Sequence, residues 1–291
     1  MKSLSTLLVL LALPLTATAQ SNRTFVSAQL GNDANLCGPT APCRSFFRAI
    51  PLTNTGGEVV VLDSGGYGPF SVAKAITIQA PSGVYAGCTT TSGTGASIAA
   101  GATDTVILRG LTFNGVGTAT TGVSFTSGAV LHIESCIINA FTGNSIDSNI
   151  SASVFVNDTT IRNGGLAGGR GISIGTGTAS INRCRIERYD GNGVVAHDGA
   201  NVMTSETVAA GNLQIGFDAE SSATLTLENC VSSGNGTGVQ AGSGATTRVS
   251  NSVIANNNTG LAGGGSLLTR KNNMVEGNPI EGTFSGTIVS K

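Results

Sequence analysis

The chain has 291 residues, with a formal net charge of −1, 42 glycines, 11% charged residues and 4% aromatic residues. So little charge, with no basic stripe, argues against a nucleic-acid partner and against binding to anionic lipid. The 40% of hydrophobic residues exceeds what a disordered chain carries, so we expect a folded protein.

The N-terminal residues 1–19 have the pattern of a signal peptide. Lys2 supplies the positive charge, residues 7–15 supply an apolar stretch, and residues 17–19 (ATA) supply the small side chains of a cleavage site. The apolar stretch is too short to span a bilayer and no later run is long enough, so we expect no membrane insertion. The sequence therefore predicts a secreted protein, either extracellular or periplasmic.

Residues 20–55 are predicted to form a polar lead-in and a cap. Cys37 and Cys43 flank the sequence GPTAP, and an oxidising compartment favours a disulfide between them. The sequence RSFFRAI that follows can place its apolar side chains on one side of a short helix. Such a helix is suited to cover the open apolar end of the repeat that comes next.

Residues 56–291 carry a repeat. Its entry sequence, GGEVVVLDSGGYGPFSV, predicts a buried strand at residues 59–62, a turn at 65–69 and a second strand at 70–72. From residue 108 onward an anchor recurs every 20 to 25 residues. The anchors are Leu108, Ile133, Val156, Ile181, Met203, Leu227, Val249 and Thr269.

Two further positions follow each anchor, three and five residues on. The first holds Cys136, Cys184 and Cys230 at intervals of 48 and 46 residues, which is two coils each. Their sulfurs would lie roughly 9 to 10 Å apart, too far for a disulfide, so we expect a column of small buried side chains and no metal site. Glu206 is a charged misfit there. The sets are Leu111, Cys136, Thr159, Cys184, Glu206, Cys230, Ser252 and Asn272 for the first position, and Phe113, Ile138, Ile161, Ile186, Val208, Ser232, Ile254 and Met274 for the second.

Asparagines recur at the corner after the anchor strand, before a second strand that opens with glycine. Asparagine tolerates left-handed backbone and can form hydrogen bonds along a stack. We therefore expect these asparagines to share one role as corner residues. They are Asn139, Asn163, Asn192, Asn212, Asn235, Asn257 and Asn278.

The repeat resembles the right-handed parallel β-helix. The resemblance is carried by the coil length, by three short strands with Asn/Gly corners in each coil, and by the entry sequence GGEVVVLDSGGYGP after a helical cap. The right-handed parallel β-helix is the fold of pectate lyases and related polysaccharide-active proteins. Leucine-rich repeats need a back side that Gly, Asn, Ser and Thr cannot form, and left-handed β-helices and calcium-binding rolls have other repeat lengths. The resemblance implies an all-β solenoid of about ten coils with a short N-terminal capping helix, but no particular activity, because the fold hosts enzymes, adhesins and phage fibres.

The outward positions of the glycine-opened strand give the best candidate site. Aligning the coils places Asp218 between Val195 and Gln240 in one outward position, and His197 and Glu220 in the next. Two acids near an imidazole can transfer protons or hold a cation. The alternative is an ordinary polar surface, in which a His opposite a Glu contributes little. His197, Asp218 and Glu220 are the candidate catalytic residues.

The sequence carries no complete catalytic motif. The polygalacturonase-like set of N-T-D, D-D, G-H-G and R-I-K is absent as a set, and so is the pectate-lyase arrangement of several Asp with a catalytic Arg or Lys. Arg170, just before Gly171, is the nearest arginine of that kind, but no acidic residue lies near it in its own coil. His132, with Glu134 two positions on, is more typical of a half-buried strand residue than of a base. No motif for a cofactor or a metal is found.

These observations predict a secreted scaffold, extracellular or at a cell surface, with a groove that binds polysaccharide or a cell-surface glycan. The alternative is a polysaccharide lyase or glycoside hydrolase of the pectate-lyase-like fold, with His197, Asp218 and Glu220 at its centre. A third hypothesis is a fragment of a fibre or an adhesin. The sequence leaves open the oligomeric state and whether the protein is an enzyme.

Overall fold

A computed structural model describes residues 20–166 and 168–288 of the chain. The predicted signal peptide, residues 1–19, lies outside the described residues. The helix found within them is α1 (Phe46–Leu52). The strands, in chain order, are β1 (Ser21–Val26), β2 (Thr53–Val61), β3 (Gly65–Gly66), β4 (Phe70–Val72), β5 (Ile76–Gln79), β6 (Ala86–Thr89), β7 (Thr94–Ala99), β8 (Thr105–Arg109), β9 (Leu111–Asn114), β10 (Thr121–Ser127), β11 (Val130–Glu134), β12 (Ile137–Asn139), β13 (Ile146–Ser148), β14 (Ser153–Asn157), β15 (Thr160–Gly164), β16 (Ile172–Ile174), β17 (Thr178–Asn182), β18 (Arg185–Tyr189), β19 (Val194–Ala196), β20 (Asn201–Ser205), β21 (Val208–Ala210), β22 (Ile215–Ala219), β23 (Thr224–Glu228), β24 (Val231–Ser233), β25 (Thr237–Ala241), β26 (Thr246–Ser250), β27 (Val253–Ala255), β28 (Thr259–Ala262), β29 (Ser266–Thr269), β30 (Met274–Glu276) and β31 (Gly286–Thr287).

The strands form three parallel sheets of twelve, ten and nine strands. Each coil of the chain contributes one strand to each sheet in turn, and strands of successive coils are hydrogen-bonded neighbours. Apolar side chains from all three sheets fill one interior that runs the length of the stack. The predicted all-β, right-handed parallel β-helix of about ten coils is confirmed.

The N-terminal end of the stack is built from the segment predicted as lead-in and cap. Strand β1 pairs in parallel with β2, so residues 21–26 belong to the twelve-stranded sheet, and the predicted domain boundary at residue 56 falls inside β2. Helix α1 begins after Ser45, whose side chain accepts a hydrogen bond from the backbone N–H of Arg48. Its buried Phe46 packs edge-on against Phe70 of β4, with the ring centroids 5.1 Å apart. The helix thus covers the apolar end of the interior.

The loop between β1 and α1 is tied to the first coil. Cys37 and Cys43 are joined by a disulfide, with their Cα atoms 4.6 Å apart. The backbone of Phe25 donates to the carbonyl of Cys37 at 2.8 Å and accepts from the N–H of Cys43 at 2.9 Å. Both half-cystines therefore contact strand β1.

In the described part of the chain, no helix is long and apolar enough to cross a bilayer.

Cys136, Cys184 and Cys230 lie in one interior column, as predicted. The coils between them place hydroxyl side chains in the same column, so that thiols and hydroxyls alternate. Each cysteine N–H donates a hydrogen bond to the hydroxyl of the next coil, which in turn donates to a backbone carbonyl. The three N–H to hydroxyl distances are 3.3 Å for Cys136 to Thr159, 3.2 Å for Cys184 to Thr207 and 3.0 Å for Cys230 to Ser252.

The predicted anchor Met203 and the predicted misfit Glu206 are both wrong by one residue. Strand β20 pairs Thr204, not Met203, with the anchor Ile181 of the coil before, and Met203 is 50% exposed. Thr207 takes the buried position after the anchor, while Glu206 turns the corner in left-handed backbone with φ of 48°. Strand side chains alternate between faces, so a slip of one residue reverses them all. Met203 is the larger and more apolar of the two neighbours, yet Thr204 is the buried one.

The same shift corrects three other predicted positions, which lie after strand β20 and near the end of the stack. In each case the residue in the column lies one position after the predicted one, and of the three only Ala209 is fully buried. The structure aligns Ala209 in place of Val208, Val275 in place of Met274 and Asn273 in place of Asn272.

Four asparagines form a ladder inside the stack. The side-chain oxygen of each accepts from a backbone N–H of the preceding coil. The side-chain amides of the last three donate to backbone carbonyls, and that of Asn212 donates to the side-chain oxygen of Asn235. Asn235 accepts from the N–H of Asn212 at 2.9 Å and donates to the carbonyl of Ala209 at 3.0 Å. The ladder consists of Asn212, Asn235, Asn257 and Asn278.

The other three asparagines of the predicted set also form hydrogen bonds between coils, but they lie outside this inner ladder. Asn163 donates to the side chain of Asn139 at 3.0 Å, and both lie in an outer ladder on the ten-stranded sheet. Asn192 instead contacts Asp218 on the outward face of the nine-stranded sheet. Residue type marked these corners, but it could not tell an inward amide from an outward one.

We predict that Asn235→Ala lowers the free energy of unfolding by about 2 to 6 kcal/mol. The substitution leaves the N–H of Asn212 and the carbonyl of Ala209 without this hydrogen-bond partner, at about 1 to 3 kcal/mol each. Urea denaturation followed by circular dichroism measures the loss. Asn139→Ala removes the same side chain from the outer ladder and is expected to change stability by about 0.5 kcal/mol or less. Equal losses for the two variants would contradict the inner ladder's structural role.

Candidate functional site

The candidate site lies on the outward face of the nine-stranded sheet, where strands β16, β19, β22 and β25 are neighbours. Their register aligns Ser173, Val195, Asp218 and Gln240 in one outward column. The alignment of Asp218 with Val195 and Gln240 predicted from the repeat is therefore confirmed. Parallel pairing without a slip brings these residues together although each lies in a different coil.

His197 and Glu220 follow two positions behind this column. The N–H of His197 donates to the carbonyl of Ile174 at 2.8 Å, and the N–H of Glu220 donates to the carbonyl of Ala196 at 2.8 Å. The two residues thus continue strands β19 and β22 by one step, and their side chains emerge one coil apart. This is the neighbour relation that the sequence predicted.

The imidazole of His197 contacts two side chains. Its Nδ1 lies 2.6 Å from Oε2 of Glu220, and its Nε2 lies 3.2 Å from the hydroxyl of Ser173. The other carboxylate oxygen of Glu220 lies 3.9 Å from the guanidinium of Arg170, which comes from two coils earlier. Glu220 is therefore flanked by a cation on one side and by an imidazole on the other.

Asp218 is held in a more enclosed place. It is 1% exposed, and its two carboxylate oxygens accept hydrogen bonds from Asn192 at 3.0 Å and from Gln240 at 3.2 Å. Burial, followed by the nearby charge of Glu220, raises the pKa of Asp218 to about 7, against the lowering effects of the Gln240 hydrogen bond and of Arg170. The carboxyl group therefore titrates near neutral pH.

A depression of about 360 Å³ opens beside these side chains. Gly175 in its lining packs closely against Asn149, because a Cβ atom at that position would come within 1.9 Å of the Asn149 amide oxygen. The depression is lined almost wholly by polar groups that can donate or accept hydrogen bonds. They include Asn144, Asp147, Arg170, Ser173, His197 and Asp198.

Arg170 is the residue that sequence reasoning undervalued. It has no acidic neighbour in its own coil, as predicted, but it faces Glu220 across two coils. The signal that could have found it is positional, since Arg170 precedes the strand-opening Gly171 as Asn192 precedes Gly193. Both side chains therefore emerge at the same edge of the outward face, one coil apart.

His132 does not join the site. It lies on strand β11 of the twelve-stranded sheet, where its ring stacks on Phe155 with the centroids 4.8 Å apart. Its Nδ1 is 3.8 Å from Glu134. It is the half-buried strand residue that the sequence indicated.

The arrangement offers hydrogen bonds and one accessible cation to a polar ligand. Carboxylate, imidazole, amide and hydroxyl groups line one open surface, and the Arg170 guanidinium can bind a carboxylate or several hydroxyl oxygens. Among residues 20–166 and 168–288, no group of three or more His, Cys, Asp or Glu side chains is arranged to hold a metal ion.

Comparisons with known proteins agree on the fold. Residues 94–254 match the family described as "Right handed beta helix region", and none of the curated proteins matches the sequence. Pectate lyase Pel9A is 14% identical, with a TM-score of 0.59 over 94% of this chain and 80% of its own. A rhamnogalacturonan lyase is 14% identical, with a TM-score of 0.49 over 85% of this chain and 73% of its own. The GH136 lacto-N-biosidase from Eubacterium ramulus is 10% identical, with a TM-score of 0.47 over 92% of this chain and 67% of its own. The likeness to the pectate lyase shows a shared fold.

We predict that the carboxyl group of Asp218 titrates with a midpoint near 7, measured by the pH dependence of its side-chain carbon resonance in NMR. Glu220→Gln should lower that midpoint, because removing a nearby negative charge makes the ionised form of Asp218 less costly. Glu228→Gln, the same change at the end of strand β23, is the control and should leave the midpoint unchanged. A midpoint near 4 in the unaltered protein would show that Asp218 is not buried as described.

Proposed function

Because this chain belongs to the right-handed β-helix family, we propose that it is an exported scaffold that binds a glycan chain on the outward face of its nine-stranded sheet. The observation that carries the proposal is the polar depression beside His197 and Glu220, with Arg170 at its edge. Sugars present many hydroxyl groups, and a surface dense in donors and acceptors is the chemistry that recognises them.

The exposure of the side chains favours binding over catalysis. Asp218 is enclosed and both of its oxygens already accept hydrogen bonds, so a ligand does not reach them without displacing Asn192 or Gln240. The side chains of Arg170 and Glu220 are 34% and 37% exposed, so they can exchange water for ligand groups. In this proposal Asp218 holds the side-chain amides of Asn192 and Gln240 in place. Arg170 and Glu220 contact the ligand.

Arg170 makes an acidic polysaccharide the first ligand to test. A guanidinium binds carboxylates with paired, charge-assisted hydrogen bonds. Pectate, the polymer in the name of the structurally similar lyase, has the required carboxylates. We propose pectate or a chemically similar acidic glycan as the ligand class.

Export is part of the proposal. The signal-peptide pattern of residues 1–19 supports it, and so does the disulfide between Cys37 and Cys43, since disulfides persist in oxidising compartments. The predicted location is extracellular or periplasmic, where a glycan ligand is accessible.

We predict that the protein binds acidic polysaccharides on a glycan array, and that Arg170→Ala weakens binding of pectate about 10- to 100-fold, as expected for the loss of a charge-assisted hydrogen bond. Isothermal titration calorimetry measures the affinity. The control is Arg185→Ala, which removes a guanidinium from the ten-stranded sheet, where it pairs with Glu187 at 2.6 Å. Absence of binding to every glycan tested, or equal effects of the two substitutions, would refute the proposal.

The second candidate function is cleavage of the glycan by a lyase or hydrolase mechanism. It is favoured by one observation, the pKa of about 7 for Asp218 beside the contact between His197 and Glu220, because groups that titrate near neutral pH are suited to transfer protons. In this alternative His197, Asp218 and Glu220 are the catalytic residues, and the enclosing amides must move aside when substrate binds.

We predict binding of acidic polysaccharides without cleavage. The measurement is the release of unsaturated products or reducing ends from a panel of such polymers over a day of incubation. If the protein does cleave one of them, and the combined change of His197, Asp218 and Glu220 to alanine abolishes that activity, the second function replaces the first.

A further inference from the structure

We propose that the glycan site extends to the N-terminal end of the same sheet face, where Phe47 provides an apolar platform for sugar units distant from Arg170. This inference rests on the proposed function and adds the length and direction of the bound chain. The ligand would lie along the axis of the stack, crossing successive strands of the nine-stranded sheet.

The platform is the exposed side of the capping helix. Phe46 of α1 is buried against the interior, whereas the next residue, Phe47, is 83% exposed. Phe47 borders a depression of about 390 Å³ together with Pro51 of the helix and Pro69 before strand β4. An exposed phenylalanine forgoes the favourable free energy that burial of its ring would contribute. An aromatic ring grouped with two prolines at the rim of a depression forms a local apolar surface on this end of the stack.

A line of small side chains connects this depression to the polar one. Ser97 borders the apolar depression, and strand pairing continues its outward column through Ser124 and Asp147 to Ser173 in the polar depression. Three coil steps separate Ser97 from Ser173, which is about 14 Å at the spacing of parallel strands. Serines on both sides of Asp147 leave the path between the two depressions open.

A third depression supports the continuity of the path. It measures about 210 Å³ and shares Asp147 and Asn149 with the polar depression, while Thr126 extends it toward the N-terminal end. The surface from Phe47 to His197 is therefore a succession of hollows and not a flat sheet.

The chemistry of the two ends fits a glycan better than a protein segment. A pyranose ring has hydroxyls at its edge and C–H groups on its faces, so it can hydrogen-bond at the polar end and pack its face on an aromatic ring at the other. The axial path offers side-chain hydroxyls and a carboxylate, at Ser97, Ser124 and Asp147. These groups suit a ligand that carries hydroxyls along its whole length.

The test measures affinity against chain length. We expect Phe47→Ala to weaken binding of long pectate fragments by roughly three- to tenfold, the range of one aromatic contact, while fragments of two or three units bind unchanged. Arg170→Ala should weaken both. Phe47→Tyr should retain the affinity for long fragments. Tyr85→Ala removes an exposed aromatic ring next to the ten-stranded sheet and serves as the control with no expected effect.

The outcomes separate this inference from the proposed function. If short fragments bind through Arg170 but Phe47→Ala leaves the affinity for long fragments unchanged, the extended site is wrong and the polar site stands. If wild-type protein binds no fragment of any length, both are wrong. If Phe47→Ala instead changes the oligomeric state in sedimentation velocity, the apolar platform is a contact between two copies of the chain, and the inference is overturned.

Discussion

Satisfying the backbone hydrogen bonds at the corners of the coils is the constraint on which this structure depends. Strands pair with the coils above and below, but the corners between sheets leave amide groups inside a stack that excludes water. The inner ladder from Asn212 to Asn278 and the hydroxyls of Thr159, Thr207 and Ser252 supply partners for these groups. Unpaired, each such group would cost about 1 to 3 kcal/mol. The polar interior columns therefore add to the apolar pattern in holding the register of the coils they join, between residues 136 and 278.

The fixed register produces the surface site. Because each coil lies directly on the one before, outward residues at equivalent positions form columns even when they are far apart in sequence. His197 and Glu220 are 23 residues apart in the chain, yet their side chains are 2.6 Å apart. Arg170 reaches the same carboxylate from two coils away. The candidate site is thus a consequence of the stacking and needs no dedicated loop.

The sequence predicted the repeat, the fold, the cysteine column and the alignment of Asp218 with Gln240, because periodic apolar residues determine which coils stack and in what register. It failed where two neighbouring residues both suited a position. Met203 looked more apolar than Thr204, but the pleat buries the threonine. It also could not see Arg170 as part of the site, because an interaction across two coils depends on side-chain direction and reach, which spacing alone does not give.

The alternation of thiols and hydroxyls bears on the redox chemistry of the folded chain. Attack on a disulfide requires a thiolate. Burial raises the pKa of Cys136 to about 12 and those of Cys184 and Cys230 to about 11, so almost no thiolate is present at neutral pH. The intervening Thr159 and Thr207 also keep neighbouring sulfurs two coils apart. Burial raises the pKa of the fourth free cysteine, Cys88, in the same direction. Once folded, the stack thus shields the bond between Cys37 and Cys43 from exchange with these four cysteines.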